Sequence, residues 1–152
     1  FLAPMTGITD LPFRSRVSSF GAGLVVSEMV ACRNLLSGSA YSRQKIEIGV
    51  ESNRTAVQLV GREAYWMAEA ARMAEASGAN SIDINMGCPA RKIVSGYSGS
   101  ALLQDLNYAE SLIHAVVKSV KIPVSLKTRL GWDYSSLNAV ELANVQRRLA
   151  SR

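Results

Sequence analysis

Histidine occurs once in the 152 residues, at His114, and cysteine twice, at Cys32 and Cys88. Zinc sites and disulfide frameworks need Cys and His clustered at short spacings, and these three residues show no such spacing. Neither a bound metal nor a disulfide is therefore expected. Two isolated thiols suit a reducing compartment, which gives a cytoplasmic expectation. No apolar run approaches the ~20 residues needed to cross a bilayer, so no membrane partner is expected. The opening FLAPMTG has no basic segment followed by a long apolar stretch and does not read as a signal peptide. It also begins with Phe1 in place of Met, as expected of a piece of a longer chain. Neither GxGxxG nor a P-loop pattern follows any β-rich run, which weighs against the commonest nucleotide-binding open sheets.

What is present fits a folded domain. Hydrophobic residues make up 48% and charged residues 19%, the balance of an ordinary globular protein and not of a disordered one. A chain of this length buries roughly 70% of its unfolded surface, enough for a real core. Seventeen Lys and Arg against twelve Asp and Glu leave a net charge of +5. That excess suits a polyanion such as nucleic acid, although a solvated basic surface accounts for it equally well.

Short β-rich runs alternate with helical patterns. Phe1 to Pro4 reads as the end of a first strand, Gly23 to Glu28 as a second, Ala56 to Val60 as a third, Ser81 to Asn85 as a fourth and Pro123 to Lys127 as a fifth. Between them, helices are expected over about 11–20, 63–77, 106–120 and 136–149. The 63–77 helix shows an apolar stripe of Met67, Ala70, Ala71 and Ala74. The last helix offers Leu137, Val140, Val145 and Leu149 for burial. A Gly- and Ser-bearing loop joins Gly87 to Gly99.

Strict βα alternation implies parallel strands and an α/β fold. Met5, Glu28, Gln58, Asn85 with Cys88, and Lys127 with Arg129 fall at or near the C-terminal ends of successive strands. A closed barrel would gather those ends at one mouth, where an open sheet would scatter them, so a (β/α)8 TIM barrel is expected, here as about its first five βα units.

The segments APMTGITDLPFR, SEM, QLVG, DINMGCPARK, GYSGSALL and SLKTRLGWD resemble, in order and spacing, the tRNA-dihydrouridine synthases. The resemblance covers roughly residues 2–133. It implies a barrel with FMN at its mouth, a small helical tRNA-binding domain after it, NADPH or NADH as reductant, tRNA as partner, and a monomeric full-length enzyme. In that family hydride reaches C6 of a uracil ring while a cysteine supplies the proton at C5. Cys88 is similar to that proton donor. Pro4, Met5 and Thr6 match the first flavin-contacting turn, and Gln58 and Lys127 match residues that bind the isoalloxazine. Asn85 and Arg129 resemble residues near flavin and uracil.

The residue chemistry agrees. Hydride addition leaves negative charge on the ring until C5 is protonated, and a thiol, with its ordinary pKa of about 8.5, is mostly protonated at neutral pH. Cys88 could equally be a small buried hydrophobe, as most unpaired cysteines are. Lys127 in an apolar strand either reaches solvent or meets a negative charge, and a cation beside N1 and O2 favours hydride acceptance by flavin. Gln58 offers a donor and an acceptor, or caps a strand. Asn85 could bond a ligand or tie down the loop. Arg91 and Lys92 suit phosphate contacts or solvent equally. Cys32, Asp83, Glu28, Trp66, Met67 and His114 read as structural.

Strands six to eight and the helical domain are expected beyond Arg152, and the phosphate grip of such barrels comes from the loops after strands seven and eight. Residues 1–152 alone are therefore expected to bind flavin weakly and to be inactive. Two rival readings remain. One is a flavin barrel reducing free pyrimidines, such as the dihydroorotate and dihydropyrimidine dehydrogenases, which favour serine where this chain has Gly87. The other is a non-catalytic RNA-binding relic.

Overall fold

The computed structural model describes residues 1–49 and 54–150; Arg152 lies outside them. Along the chain run α1 (Leu11–Ser19), β1 (Val25–Val26), β2 (Val30–Ala31), α2 (Cys32–Leu36), α3 (Ala40–Lys45), β3 (Thr55–Val60), α4 (Ala64–Ala76), β4 (Ser81–Met86) and α5 (Arg91–Val94). A 3-10 turn (Gly99–Gln104), α6 (Leu106–Ser119), β5 (Val124–Thr128) and α7 (Ala139–Ala150) complete it.

Every strand pairing among the described residues is parallel. Leu2 bridges Val25, β1 and β2 pair with the two halves of β3, β3 pairs with β4, and β4 with β5. Each new strand is thus added beside the last, as in a barrel, where a doubly wound sheet would reverse direction part-way. Successive helices also pack on one another, α2 on α4, α4 on α6 and α6 on α7. The result is a half-barrel with a helical outer layer.

Alternation along the strands separates its two faces. Val57, Leu59, Ile82, Ile84 and Met86 join Met67, Ala70, Ala71 and Ala74 of α4 and Leu112, Ile113 and Val116 of α6 in one core. Each fully buried Leu, Ile or Met there contributes about 1.5–3 kcal/mol. Residues of the other parity, including Gln58, Asp83, Asn85, Ser125 and Lys127, occupy the concave face. Asp10 and Asp105 start α1 and α6 by accepting the amides of Phe13 and Tyr108, each satisfying a donor that the first helical turn leaves open.

Four expectations are corrected. The first strand is a single bridge at Leu2. The second is broken: the Ser27 hydroxyl accepts the Gln58 amide at 3.0 Å, where a ladder carbonyl would otherwise sit, so pairing stops at Val26 and resumes at Val30. The 87–99 loop contains α5. The last helix begins at Ala139, after a turn in which Ser136 N–H donates to the Asp133 carbonyl. Leu137 and Val140 are exposed, and Leu142, with Val145 and Leu149, supplies the buried face.

Candidate active site

Parallel register sets Gln58 beside Asp83, Asp83 beside Ser125, and Asn85 beside Lys127. Gln58, Asp83 and Asn85 are all buried, so their polar atoms need partners inside the protein. Gln58 Nε2 donates to Asp83 Oδ2 at 2.6 Å, Asn85 Nδ2 donates to Gln58 Oε1 at 3.0 Å, and the Ser125 hydroxyl donates to Asp83 Oδ1 at 2.7 Å. Burial pushes the Asp83 carboxyl above its usual range. The hydrogen bonds from Gln58 and Ser125 and the charge of Lys127 oppose that shift without cancelling it.

Beyond β4 the Asn85 oxygen turns to the backbone, accepting Cys88 N–H at 3.0 Å and Gly87 N–H at 3.3 Å. Cys88 is half-buried, and its carbonyl accepts Ser100 N–H at 3.0 Å. The loop is thus pinned from both sides. Between those pins Tyr97 and Gly99 take positive φ, 53° and 61°.

The first turn is built separately. Met5 N–H donates to the Thr9 hydroxyl, and the amides of Ile8 and Thr9 donate to the Met5 carbonyl. Pro4 is half-buried, and Met5 and Thr6 are exposed. Glu28 Oε1 accepts Gly7 N–H at 2.6 Å and lies 3.6 Å from the Lys45 ammonium. Buried Arg14 donates to the carbonyls of Thr9 and Glu47. Arg14 and Lys45 were not singled out in the sequence, because a lone cation in a short polar helix carries no pattern. Ser125 could have been found: with Lys127 it marks one polar face of β5.

A family model described as dihydrouridine synthase (Dus) matches residues 1–148. The chain belongs to that family.

Among its relatives, a probable tRNA-dihydrouridine synthase of Rhizobium leguminosarum bv. phaseoli is 57% identical over 143 residues, 93% of this chain and 44% of the relative. One from Rhodobacter capsulatus is 55% identical with the same coverage. The tRNA-dihydrouridine synthase B of Vibrio cholerae is 44% identical over 144 residues, 95% of this chain and 45% of the relative. The chain thus spans less than half the length of these relatives. The dihydrouridine synthase fold is a TIM barrel, and the half-barrel here is its first part.

In this chain the expected site residues fall into groups. Gln58, Asn85 and Cys88 are joined by hydrogen bonds, and Lys127 stands beside Asn85 in register. Arg129 is exposed one residue beyond β5. Lys92 lines a groove of about 420 Å³ with Arg33, Arg62 and Trp66 at the ends of β2 and β3, and Arg91 is exposed on α5 outside it. Cys32 is buried, 3.3 Å from the Met67 sulfur, and burial pushes its thiol up to about 12. Among the described residues, no group of three or more His, Cys, Asp or Glu could hold a metal, and no helix is long and apolar enough to cross a membrane.

Proposed function

We propose that the protein containing this chain reduces the 5,6 double bond of uridine in tRNA to dihydrouridine, with Cys88 as the acid. The observation that carries this reading is the placement of Cys88: its backbone N–H is held 3.0 Å from the oxygen of Asn85, whose strand neighbour is Lys127. A proton donor and a cation are thereby gathered at one end of adjacent strands.

The residues fit an FMN. Lys127 is exposed on the concave face, and its ammonium makes no hydrogen bond or ion pair among the described residues. An ammonium with open donors suits the electron-rich edge of an isoalloxazine. Pro4, Met5, Thr6 and Gln58 would complete the holding set. FMN, reduced by NADPH or NADH, supplies the hydride when bound.

The chain's own residues do the rest. Cys88 Sγ–H gives its proton to C5, so the double bond gains one hydride and one proton, and the thiolate regains a proton from water. Asn85 holds the loop through its side-chain oxygen, and Asn85 and Arg129 border the space for the uracil. Arg91 and Lys92 face tRNA phosphates, which position the nucleic acid without reading its sequence. Gly87 also suits this reading. A Cβ there would lie 3.0 Å from the Thr128 carbonyl carbon, so the serine favoured by barrels acting on free pyrimidines would force a shift.

The proposed setting is cytoplasmic, with a monomeric full-length enzyme whose remaining barrel strands and helical tRNA-binding domain follow this chain. Residues 1–152 alone bind FMN weakly and reduce no uridine in this reading. The deciding experiment supplies the full-length protein with FMN, NADPH and tRNA lacking dihydrouridine, and compares it with Cys88→Ala. Dihydrouridine from the parent, with its loss in the variant while tRNA binding persists, supports the proposal. No product from the parent, or full product from Cys88→Ala, removes it.

A further inference from the structure

Two side-chain amides, Gln58 and Asn85, stand between an acceptor-only group and two donor-only groups. At one end is the Asp83 carboxylate, 2.6 Å from Gln58 Nε2. At the other are the backbone N–H groups of Gly87 and Cys88, 3.3 and 3.0 Å from Asn85 Oδ1. The amides meet through Asn85 Nδ2 and Gln58 Oε1 at 3.0 Å.

An amide can present either end, and its direction is settled by the network around it. Here both ends agree. Turning the two amides over would set Gln58 Oε1 against the Asp83 carboxylate and Asn85 Nδ2 against the Cys88 N–H. With Gln58 only 1% exposed and Asp83 and Asn85 under 10%, no bulk water relieves such clashes.

We propose that Asp83 is a positioning residue for Cys88: as the acceptor end of the chain Asp83–Gln58–Asn85, it keeps the Asn85 oxygen on the Cys88 amide. This deepens, and rests on, the reading of Cys88 as the acid. Without the carboxylate, Gln58 Nε2 is a buried donor with no acceptor. The nearest remedy is to turn the Gln58 amide toward the Asn85 oxygen, which draws that oxygen from Cys88 and releases the loop. Ser125, donating to the other Asp83 oxygen at 2.7 Å, holds the carboxylate in its rotamer. The sequence places the three residues on one face through DINMGCP and QLV, but nothing in it orders the direction of the amides.

The test uses the full-length protein and compares Asp83→Leu with Asp83→Asn. Leucine removes the acceptor at similar volume. Asparagine can keep an oxygen on Gln58 and turn its amide to the Ser125 hydroxyl. Two readouts are taken: the alkylation rate of Cys88 by iodoacetamide, resolved by mass spectrometry, and turnover of tRNA.

Asp83→Leu is expected to change Cys88 alkylation by about fivefold or more, and to lower kcat by about tenfold or more with KM for tRNA little altered. Asp83→Asn recovers most of both. A cooperatively folded Asp83→Leu with wild-type alkylation overturns the proposal, as does an Asp83→Asn no better than Leu. If Asp83→Leu does not fold, Gln58→Met cuts the same chain one link later and is judged by the same alkylation criterion. Alkylation needs no turnover. A parent that makes no dihydrouridine therefore removes the functional reading, while the alkylation comparison still decides the role of Asp83.

Discussion

The carboxylate of Glu28 accepts the backbone amide of Gly7 at 2.6 Å, so the turn after the first β-bridge is fastened to the break between β1 and β2. Lys45, at 3.6 Å, balances the carboxylate's charge and also donates to the Met29 carbonyl. Both side chains are at most 10% exposed. Glu28→Ala strands the ammonium and is expected to cost about 3 kcal/mol, because removing one partner of a buried pair leaves the other uncompensated. Glu28→Gln keeps an acceptor for Gly7 and is expected to cost about half as much. Urea denaturation of the full-length variants measures both, and equal costs would mean that the Gly7 hydrogen bond contributes nothing beyond the ion pair.

Cys32 carries a pH signature. Burial raises its thiol from 9.0 to about 12, so the folded state holds its proton where the unfolded chain releases it. Stability is then fully present below about pH 9 and declines as pH rises toward 12, with a limiting slope of about 1.4 kcal/mol per pH unit. Cys32→Ala removes this slope, whatever Lys and Tyr add to both proteins. Denaturation midpoints on either side of pH 9 test it, and parallel curves for the two proteins would refute it.

How much of this was legible depended on which force fixed each element. The strands β3 and β4 set Val57, Leu59, Ile82, Ile84 and Met86 at alternate positions, and α4 carries Met67, Ala70, Ala71 and Ala74 at helical spacing; burial fixes these, and all four stripe residues are fully buried. Other features rest on single side-chain hydrogen bonds, which leave no periodicity. The break at Ser27 and the ties of Glu28 to Gly7 and of Arg14 to Thr9 are of this kind. In α7 the sequence offers Val140 and Leu142 alike to the core, and packing buries Leu142 with Val145 and Leu149 and leaves Val140 exposed. At the site, motif and alternation brought Gln58, Asn85 and Lys127 together. Their connection through Asp83 needed geometry.

Asp83 itself is expected to weaken the fold at neutral pH. Desolvation raises its carboxyl above 3.8 despite the Gln58 and Ser125 hydrogen bonds. Between the unfolded and folded values the folded state therefore binds a proton that the unfolded chain has lost, and stability falls as pH rises from about 4 through the folded value, above which Asp83 is the carboxylate. Asp83→Asn removes that dependence, so its stability relative to wild type should improve between acid and neutral pH. Finding that wild type gains on the variant over that interval would contradict the assignment. A carboxylate kept at a cost in stability is what a positioning role would predict.

The loop that carries Cys88 closes on Gly99. With φ at +61°, a Cβ there would lie 2.7 Å from the Cys88 carbonyl oxygen and 2.8 Å from Ile93 Cγ2. Alanine at this position meets both an unfavourable backbone region and a backbone clash, and the atom it strikes belongs to the residue proposed as the acid. Gly99→Ala is therefore expected to lose about 2 kcal/mol and to displace Cys88 enough to lower turnover by about tenfold or more. Gly96 is the control: its φ is not positive, and its Cβ would meet only the Ile93 carbonyl, at 3.5 Å. Gly96→Ala should stay within about 0.5 kcal/mol of the parent. Thermal unfolding and single-turnover assays on both variants separate the outcomes. A Gly99→Ala protein as stable and active as Gly96→Ala would show that the loop is not seated as the Ser100–Cys88 hydrogen bond requires.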